Sequence, residues 1–260
     1  MAAAFFVGTS IASAQTDAPA ILPSGIYEYR LSSPDAPVTD GKVMVTRDAA
    51  GVTVETKGLV SGSSSFTIPG RGTTYSGWNM YYESRLNALP SWDPVSFMLE
   101  RRPNEGRTEL AGLRFAQGHF TALRFSSRRP TEIALQPETT HAIVIDGLNF
   151  AGAFVVPAAI AAWGSAAPVT VIDALGARAA TATCAPATIE RPRDVPEGDA
   201  VIQCDPKQGT FWYDRATAIP DVIDWPDQHV RIVRVHPKTP PAATPSTPAP
   251  APSAAPSPSA

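Results

Sequence analysis

Between His141 and Gly164 the sequence reads HAIVIDGLNFAGAFVVPAAIAAWG, with Asp146 its one acidic residue and no Lys or Arg. This run constrains the fold more than any other. Ala142–Ile145 reads as a strand apolar on both faces, Asp146-Gly147 as a turn, and Leu148–Trp163 as a helix apolar almost all the way round. Such a helix has to be covered by other elements, and it is shorter than the roughly 20 residues a membrane span needs. Pro157 lacks an amide hydrogen and crowds the preceding turn, so the helix should kink there or a new one should start. Asp146 or Asn149 is positioned to cap its first part. The segments before it are patterned as antiparallel strands. The expected architecture is therefore mainly β: a curved antiparallel sheet or open β-barrel with one apolar helix packed on its concave face.

The apolar share of 43% suffices for a core, and a net charge of −3 argues against nucleic acid as a partner. Residues 25–236 read as a single β-rich domain. Ahead of it, Ala2–Ile11 is apolar and Ala12-Ser13-Ala14 has the small-x-small pattern of a signal-peptidase site, although no Lys or Arg precedes the run. Residues 1–14 are accordingly expected to be a signal peptide and 15–24 a flexible lead-in, which places the protein in the periplasm or outside the cell. Behind the domain, Pro237–Ala260 carries nine of the 27 prolines, no aromatic residue and one charge. A disordered, polyproline-II-like Pro/Ala-rich tail is expected there. Cys184 and Cys204 are the only cysteines. On neighbouring strands in an oxidising compartment they should form a disulfide.

Period-two alternation is clearest in Gly25–Leu31, where Tyr27, Tyr29 and Leu31 oppose Ile26, Glu28 and Arg30. Lys42–Thr46 and Val52–Thr56 form a hairpin around Asp48–Gly51, burying Val43, Val45, Val52 and Val54. The Gly-, Ser- and Thr-rich stretch Gly58–Gly77 offers only short candidates at Ser65–Ile68 and Thr73–Ser76. Val95–Arg101 is a strand. In Thr108–Ser126 a turn over Ala116, Gln117 and Gly118 would place Leu113 and Phe115 on one face with Thr121, Leu123 and Phe125, and Arg114 and Arg124 on the other. Ile133–Leu135 precedes the central run. Five strands are expected after it: Pro168–Ile172, Ala177–Cys184, Ala200–Gln203, Thr210–Tyr213 and His229–Val235.

No signature of nucleophilic catalysis, metal binding or a cofactor is present: Ser61-Gly62-Ser63-Ser64-Ser65 lacks the second glycine of a nucleophile elbow, and the four histidines are scattered singly. Glu83 and Asp93, near Trp78, Tyr82 and Trp92, are the one carboxylate pair that could serve a glycan-cleaving site.

The features IVIDGLNFAGAFVVPAAIAAW, GTFWYDRATAIPDVIDWPDQHVRIVRV and the step Trp212-Tyr213-Asp214 resemble uncharacterised periplasmic β-rich families of Gram-negative bacteria. More distantly, the layout is similar to the lipoprotein-carrier (LolA/LolB-like) fold, an open barrel with helices plugging its concave face. The chain departs from that fold in lacking a lipidated cysteine and in having a single kinked helix as plug. The resemblance implies a non-enzymatic exported protein holding a lipid or acyl chain between sheet and helix. Leu113, Phe115, Leu123, Phe125, Phe150, Phe154 and Trp163 are its candidate lining, or else they pack on one another and fill the space themselves. Two alternatives stand beside it: a cell-envelope interaction or scaffold protein without a cavity and, last, a carbohydrate-active enzyme.

Overall fold

A computed structural model describes residues 22–33, 36–68, 72–104, 108–116, 118–124, 130–145, 150–164, 168–174, 176–205, 209–225 and 230–236. The leader, the tail, Asp146, Leu148, Asn149 and Phe125 lie outside these residues. Eight strands precede the helices: β1 (Gly25–Ser33), β2 (Ala36–Asp48), β3 (Gly51–Ile68), β4 (Gly72–Ala88), β5 (Pro94–Pro103), β6 (Glu109–Ala116), β7 (His119–Arg124) and β8 (Thr131–Ala134). Then come β9 (His141–Ile145), the helices α1 (Ala151–Phe154) and α2 (Val156–Trp163), and six strands: β10 (Pro168–Asp173), β11 (Arg178–Pro186), β12 (Ala200–Asp205), β13 (Gly209–Tyr213), β14 (Pro220–Trp225) and β15 (Val230–Arg234).

Among the described residues these strands form one open sheet in the order β8-β7-β6-β5-β4-β3-β2-β1-β15-β14-β13-β12-β11-β10-β9. The first and last strands, β1 and β15, pair at its centre, and both edges come from the middle of the chain. The pairing of β9 with β10 is parallel and is connected through α1 and α2, as a parallel pair requires a crossover. The segment that joins the two edge strands, β8 and β9, is tied to β10 and β11 through side chains. The amide of Gln136 donates to Thr170 Oγ1 at 3.0 Å, Thr139 shares a hydroxyl hydrogen bond with Thr170, and Thr181 donates to Glu138. No helix among the described residues is long and apolar enough to cross a membrane.

The sheet curls around the helices. Every residue from Phe150 to Ile160 is buried, with α1 touching β3, β4 and β9 and α2 touching β13. The apolar run is thus shielded by strands from both halves of the chain, as its all-round hydrophobicity demands. It is two helices, not one. Pro157 cannot donate to the carbonyl of Ala153, so α1 ends at Phe154 and α2 restarts at Val156 with Pro157 in its first turn. α1 has no side-chain cap; Phe150 occupies the N-cap position. Gly152 packs its bare Cα against the carbonyl of Val144, a contact that any Cβ would block.

The β1 alternation and the β2–β3 valines are buried as their pattern dictates: Tyr29, Leu31, Val43, Val45, Val52 and Val54 face the core. Two expectations are corrected, and one segment without an assignment is placed. Gly58–Gly77 is not a loop with two short strands, because β3 and β4 pair rung by rung from Val52↔Ala88 to Ile68↔Gly72. Backbone pairing there proceeds without an apolar rhythm to advertise it. The PDVIDW segment, unassigned from sequence, is the interior strand β14.

The β6–β7 hairpin is one residue tighter than expected, pairing Ala116 with His119 and Leu113 with Ala122. Because side chains alternate, that single step moves all of β7 to the opposite face. Phe120 and Ala122, not Thr121 and Leu123, join Leu113 inside. The disulfide expectation is met: Cys184 and Cys204 face each other across β11 and β12 with Cα atoms 4.0 Å apart.

Candidate ligand groove

Along β1–β4 the outward positions are those a sequence reader assigns to solvent: Ile26, Glu28 and Arg30; Asp40, Lys42 and Met44; Glu55, Lys57 and Leu59; Tyr81 and Glu83. Register brings them together, pairing Ile26 with Met44, Glu28 with Lys42, Arg30 with Asp40 and Leu59 with Tyr81. The result is a groove of about 680 Å³ lined by these residues other than Glu83, by Tyr29, Gly41 and Gly58, and by Val235 just beyond β15.

Its apolar members stand well out in solvent, Ile26 at 68%, Leu59 at 49% and Met44 at 41% exposure. Behind its floor Tyr82 fills the space that side chains at Gly41 and Gly58 would need. A Cβ on Gly41 would lie 2.6 Å from the Tyr82 hydroxyl.

Six charged side chains line the groove, and the two signs balance: Glu28, Asp40 and Glu55 against Arg30, Lys42 and Lys57. Each finds a partner, with Lys42 3.3 Å from Glu28, Arg30 3.3 Å from Asp40, Lys57 2.9 Å from Glu83, and Glu55 3.3 Å from Arg85. The hydrogen bond from Lys57 holds the Glu83 carboxyl below its ordinary value, with Tyr81 and Arg102 assisting. The same bond raises Lys57. Burial raises the Tyr81 phenol, with Glu83 adding to the effect. Arg102 lies 4.8 Å from the centroid of the Tyr81 ring. The arrangement offers an apolar surface framed by locally neutralised charge, suited to an uncharged or amphiphilic body rather than a polyanion.

Of the described side chains expected to line an internal site, Leu113, Phe150 and Phe154 lie in the continuous core with Trp163 packed against it, whereas Phe115 and Leu123 are exposed. Phe150 and Phe154 are fully enclosed and pack edge-on against Tyr29 at 5.5 and 5.6 Å. Leu113 is buried in the same continuous core. Phe115 is 37% exposed and its ring lies tilted against that of Phe120, 4.9 Å between centroids. Leu123 is 58% exposed on the outer face beside Gly112. Trp163 lies flat on His141, 4.4 Å between centroids.

Glu83 and Asp93 are also kept apart. Glu83 stands opposite Glu100, whereas Asp93 precedes Pro94, which pairs with Ala88. Five residues of extended strand separate the two rungs, about 17 Å, against the roughly 6.5–9.5 Å of an inverting glycosidase pair. Tyr82 faces the core, and the Trp78 side chain is outside the described set.

Two polar clusters were invisible to sequence reading. Where β14 begins and β15 ends, the nearly inaccessible Asp221 accepts from Arg234 at 3.3 Å and lies 3.0 Å from Nε2 of His236. Asp199 neighbours Asp221 in the same cluster, and its buried Oδ2 has no hydrogen-bond partner among the described residues. Elsewhere Asp93 joins His141. No group of three or more His, Cys, Asp or Glu side chains among the described residues could hold a metal ion.

The fold is that of a curved, barrel-like β-sheet wrapped on short helices. A β-barrel-like protein of a domain of unknown function, DUF1849, from Brucella abortus shares it at TM-score 0.50 and 12% identity, covering 84% of this chain and 98% of that one. A DUF1089 family protein from Pseudomonas aeruginosa aligns over 88% of this chain and 98% of its own, at TM-score 0.39 and 10% identity. The likeness to the Brucella protein is one of fold alone. No family model matches the sequence, and no curated protein is significantly similar to it.

Proposed function

We propose that this chain is an exported, non-enzymatic binding protein of the cell envelope that holds a hydrophobic ligand, a lipid or acyl chain, in the groove over β1–β4. The ligand class is the one expected from the sequence, seated on the outer face of the sheet instead of between sheet and helix. Between sheet and helix, Phe150 and Phe154 fill the space beside Tyr29, whereas on the outer face Ile26, Met44, Leu59 and Tyr81 frame a concavity within the size range of ligand pockets. That concavity is the observation that carries the proposal. Export is supported by the leader pattern of residues 1–14 and by the Cys184–Cys204 bridge.

The test is titration with a fluorescent fatty acid, together with mass spectrometry of lipids extracted from the purified protein. Met44→Glu and Leu59→Glu each place a carboxylate among the apolar members and should weaken binding at least tenfold while leaving the circular dichroism spectrum unchanged. Failure of the unmodified protein to bind, or equal affinity in both variants, refutes the groove as the seat.

A further inference from the structure

Over β12–β15 the outer face of the sheet is covered by the segment between β11 and β12, which packs Val195 on Val201, Trp212 and Val222. Over β1–β6 the outward Ile26, Met44, Leu59, Met98 and Leu110 stay exposed. They stand at ordered places. Register aligns one row straight across the strands: Ile26, Met44, Glu55, Arg85, Met98 and Gly112. The row beside it holds Glu28, Lys42, Lys57, Glu83, Glu100 and Leu110. Beyond the rung of Gly41 and Gly58 come Arg30, Asp40, Leu59, Tyr81 and Arg102. On the other side of the first row lie Thr46, Thr53, Asn87 and Ser96.

This pattern is its own complement. A twofold axis parallel to the strands, between β3 and β4, lays β3 of one copy over β4 of another, β2 over β5 and β1 over β6. Glu55 then meets Arg85, Lys57 meets Glu83 and Leu59 meets Tyr81. These matches repeat in trans what β3 and β4 already make within one chain. The matches of β2 with β5 are independent, because two strands separate them within a chain: Met44 meets Met98, Lys42 meets Glu100, Asp40 meets Arg102 and Thr46 meets Ser96. At the rim Ile26 lies over Gly112, where even an added Cβ would have only the carbonyl of Phe97 near it, at 3.8 Å. We propose that this chain forms an isologous dimer through the outer faces of β1–β6, each copy seating its β5 side chains in the β1–β4 groove of the other. Six strands at roughly 4.8 Å and seven residues along each at roughly 3.4 Å make a patch of about 29 by 24 Å. Two copies bury on the order of 1,400 Å² between them, within the range of specific interfaces. The dimer covers Met44 and Leu59, so a second copy and a hydrophobic ligand compete for one surface. That competition rests on the ligand assignment above; the dimer does not.

Sedimentation velocity over a concentration series of the full chain should show a reversible monomer–dimer equilibrium. Lys42→Glu sets carboxylate against carboxylate twice in each dimer, and Glu100→Lys sets ammonium against ammonium twice; each alone should weaken self-association about tenfold or more. An equimolar mixture of the two variants restores both opposite-charge contacts and should form a heterodimer within about threefold of the original affinity. A variant that had merely lost its fold could not be rescued in this way. The proposal is overturned if the unmodified chain stays monomeric up to about 1 mM, if both variants associate as tightly as it does, or if the mixture associates no better than its components. Self-association without fatty-acid binding keeps the dimer and removes the lipid reading. Fatty-acid binding by a chain that stays monomeric does the reverse. Where both occur, added fatty acid should shift dimer toward monomer, and an unshifted equilibrium overturns the competition.

Discussion

The Nδ1 atom of His141 lies 2.8 Å from Oδ1 of Asp93, while the same imidazole stacks on the indole of Trp163 at an interplanar angle of 7°. The Trp163 Nε1–H donates to the carbonyl of Ser91 at 2.6 Å, and Ser91 Oγ donates to Asp93 Oδ2 at 3.0 Å. The first residue of β9, the last of α2 and the turn ahead of β5 are therefore one unit. His141→Ala removes its hydrogen bond and its stack together, and should cost about 2 kcal/mol, read as a lowered urea midpoint with an unchanged slope. His141→Phe keeps the stack and should recover part of the loss. An unchanged midpoint in His141→Ala would show that the three elements are held independently.

Gly152→Ala tests the approach of α1 to β9. The added methyl meets the carbonyl of Val144, a backbone group that cannot swing aside. The expected cost is about 3 kcal/mol, the upper end for overpacking, even though alanine is the better helix former. Equal or greater stability in chemical denaturation would mean that α1 can slide away from the sheet.

The Cys184–Cys204 bridge closes a segment of sequence separation 20. Reducing it, or replacing both cysteines with serine, should lower stability by about 3 kcal/mol through the freedom returned to the unfolded chain. Thermal denaturation with and without reductant measures this. Superimposable transitions would contradict it.

Stability should also depend on pH through Asp199. Burial pushes its carboxyl up to about 7, with the Asp221 and Asp214 carboxylates adding to the effect. In the unfolded chain the same group ionises near 4. Between these values the folded state holds a proton that the unfolded state releases, so the contribution of Asp199 is greatest on the acid side and is lost as pH rises from about 4 to about 7. Asp199→Asn cannot ionise and should flatten this part of the profile when unfolding is measured from pH 5 to pH 8. A variant profile parallel to that of the unmodified chain would assign the dependence elsewhere.

What could be read without coordinates was whatever a single strand or helix declares by itself. The alternation of β1, the valines of β2 and β3 and the continuous hydrophobicity of Phe150–Ile160 are local records of which side meets the core. What depends on a distant partner was not legible. β14 looks broken by Pro220, Asp221 and Asp224, yet Asp221 is matched by Arg234 and Asp224 by Arg231, both supplied from β15. The β6–β7 register turned on whether the loop holds two residues or three, and composition does not decide that. The groove left one trace in the sequence: Ile26 and Met44 are apolar at positions that their own strands give to water. Only the pairing of β1 with β2 shows that they adjoin.

Since β1 closes on β15, the beginning and end of the domain are zipped together at mid-sheet. A chain emerging from its N-terminus could assemble the β1–β8 meander from neighbours in sequence as each strand appeared. Its first strand would still wait, one side unsatisfied, until nearly the whole polypeptide had been made. Completion of the wrapped core is thereby tied to completion of the chain, and an exposed β1 edge marks every unfinished molecule.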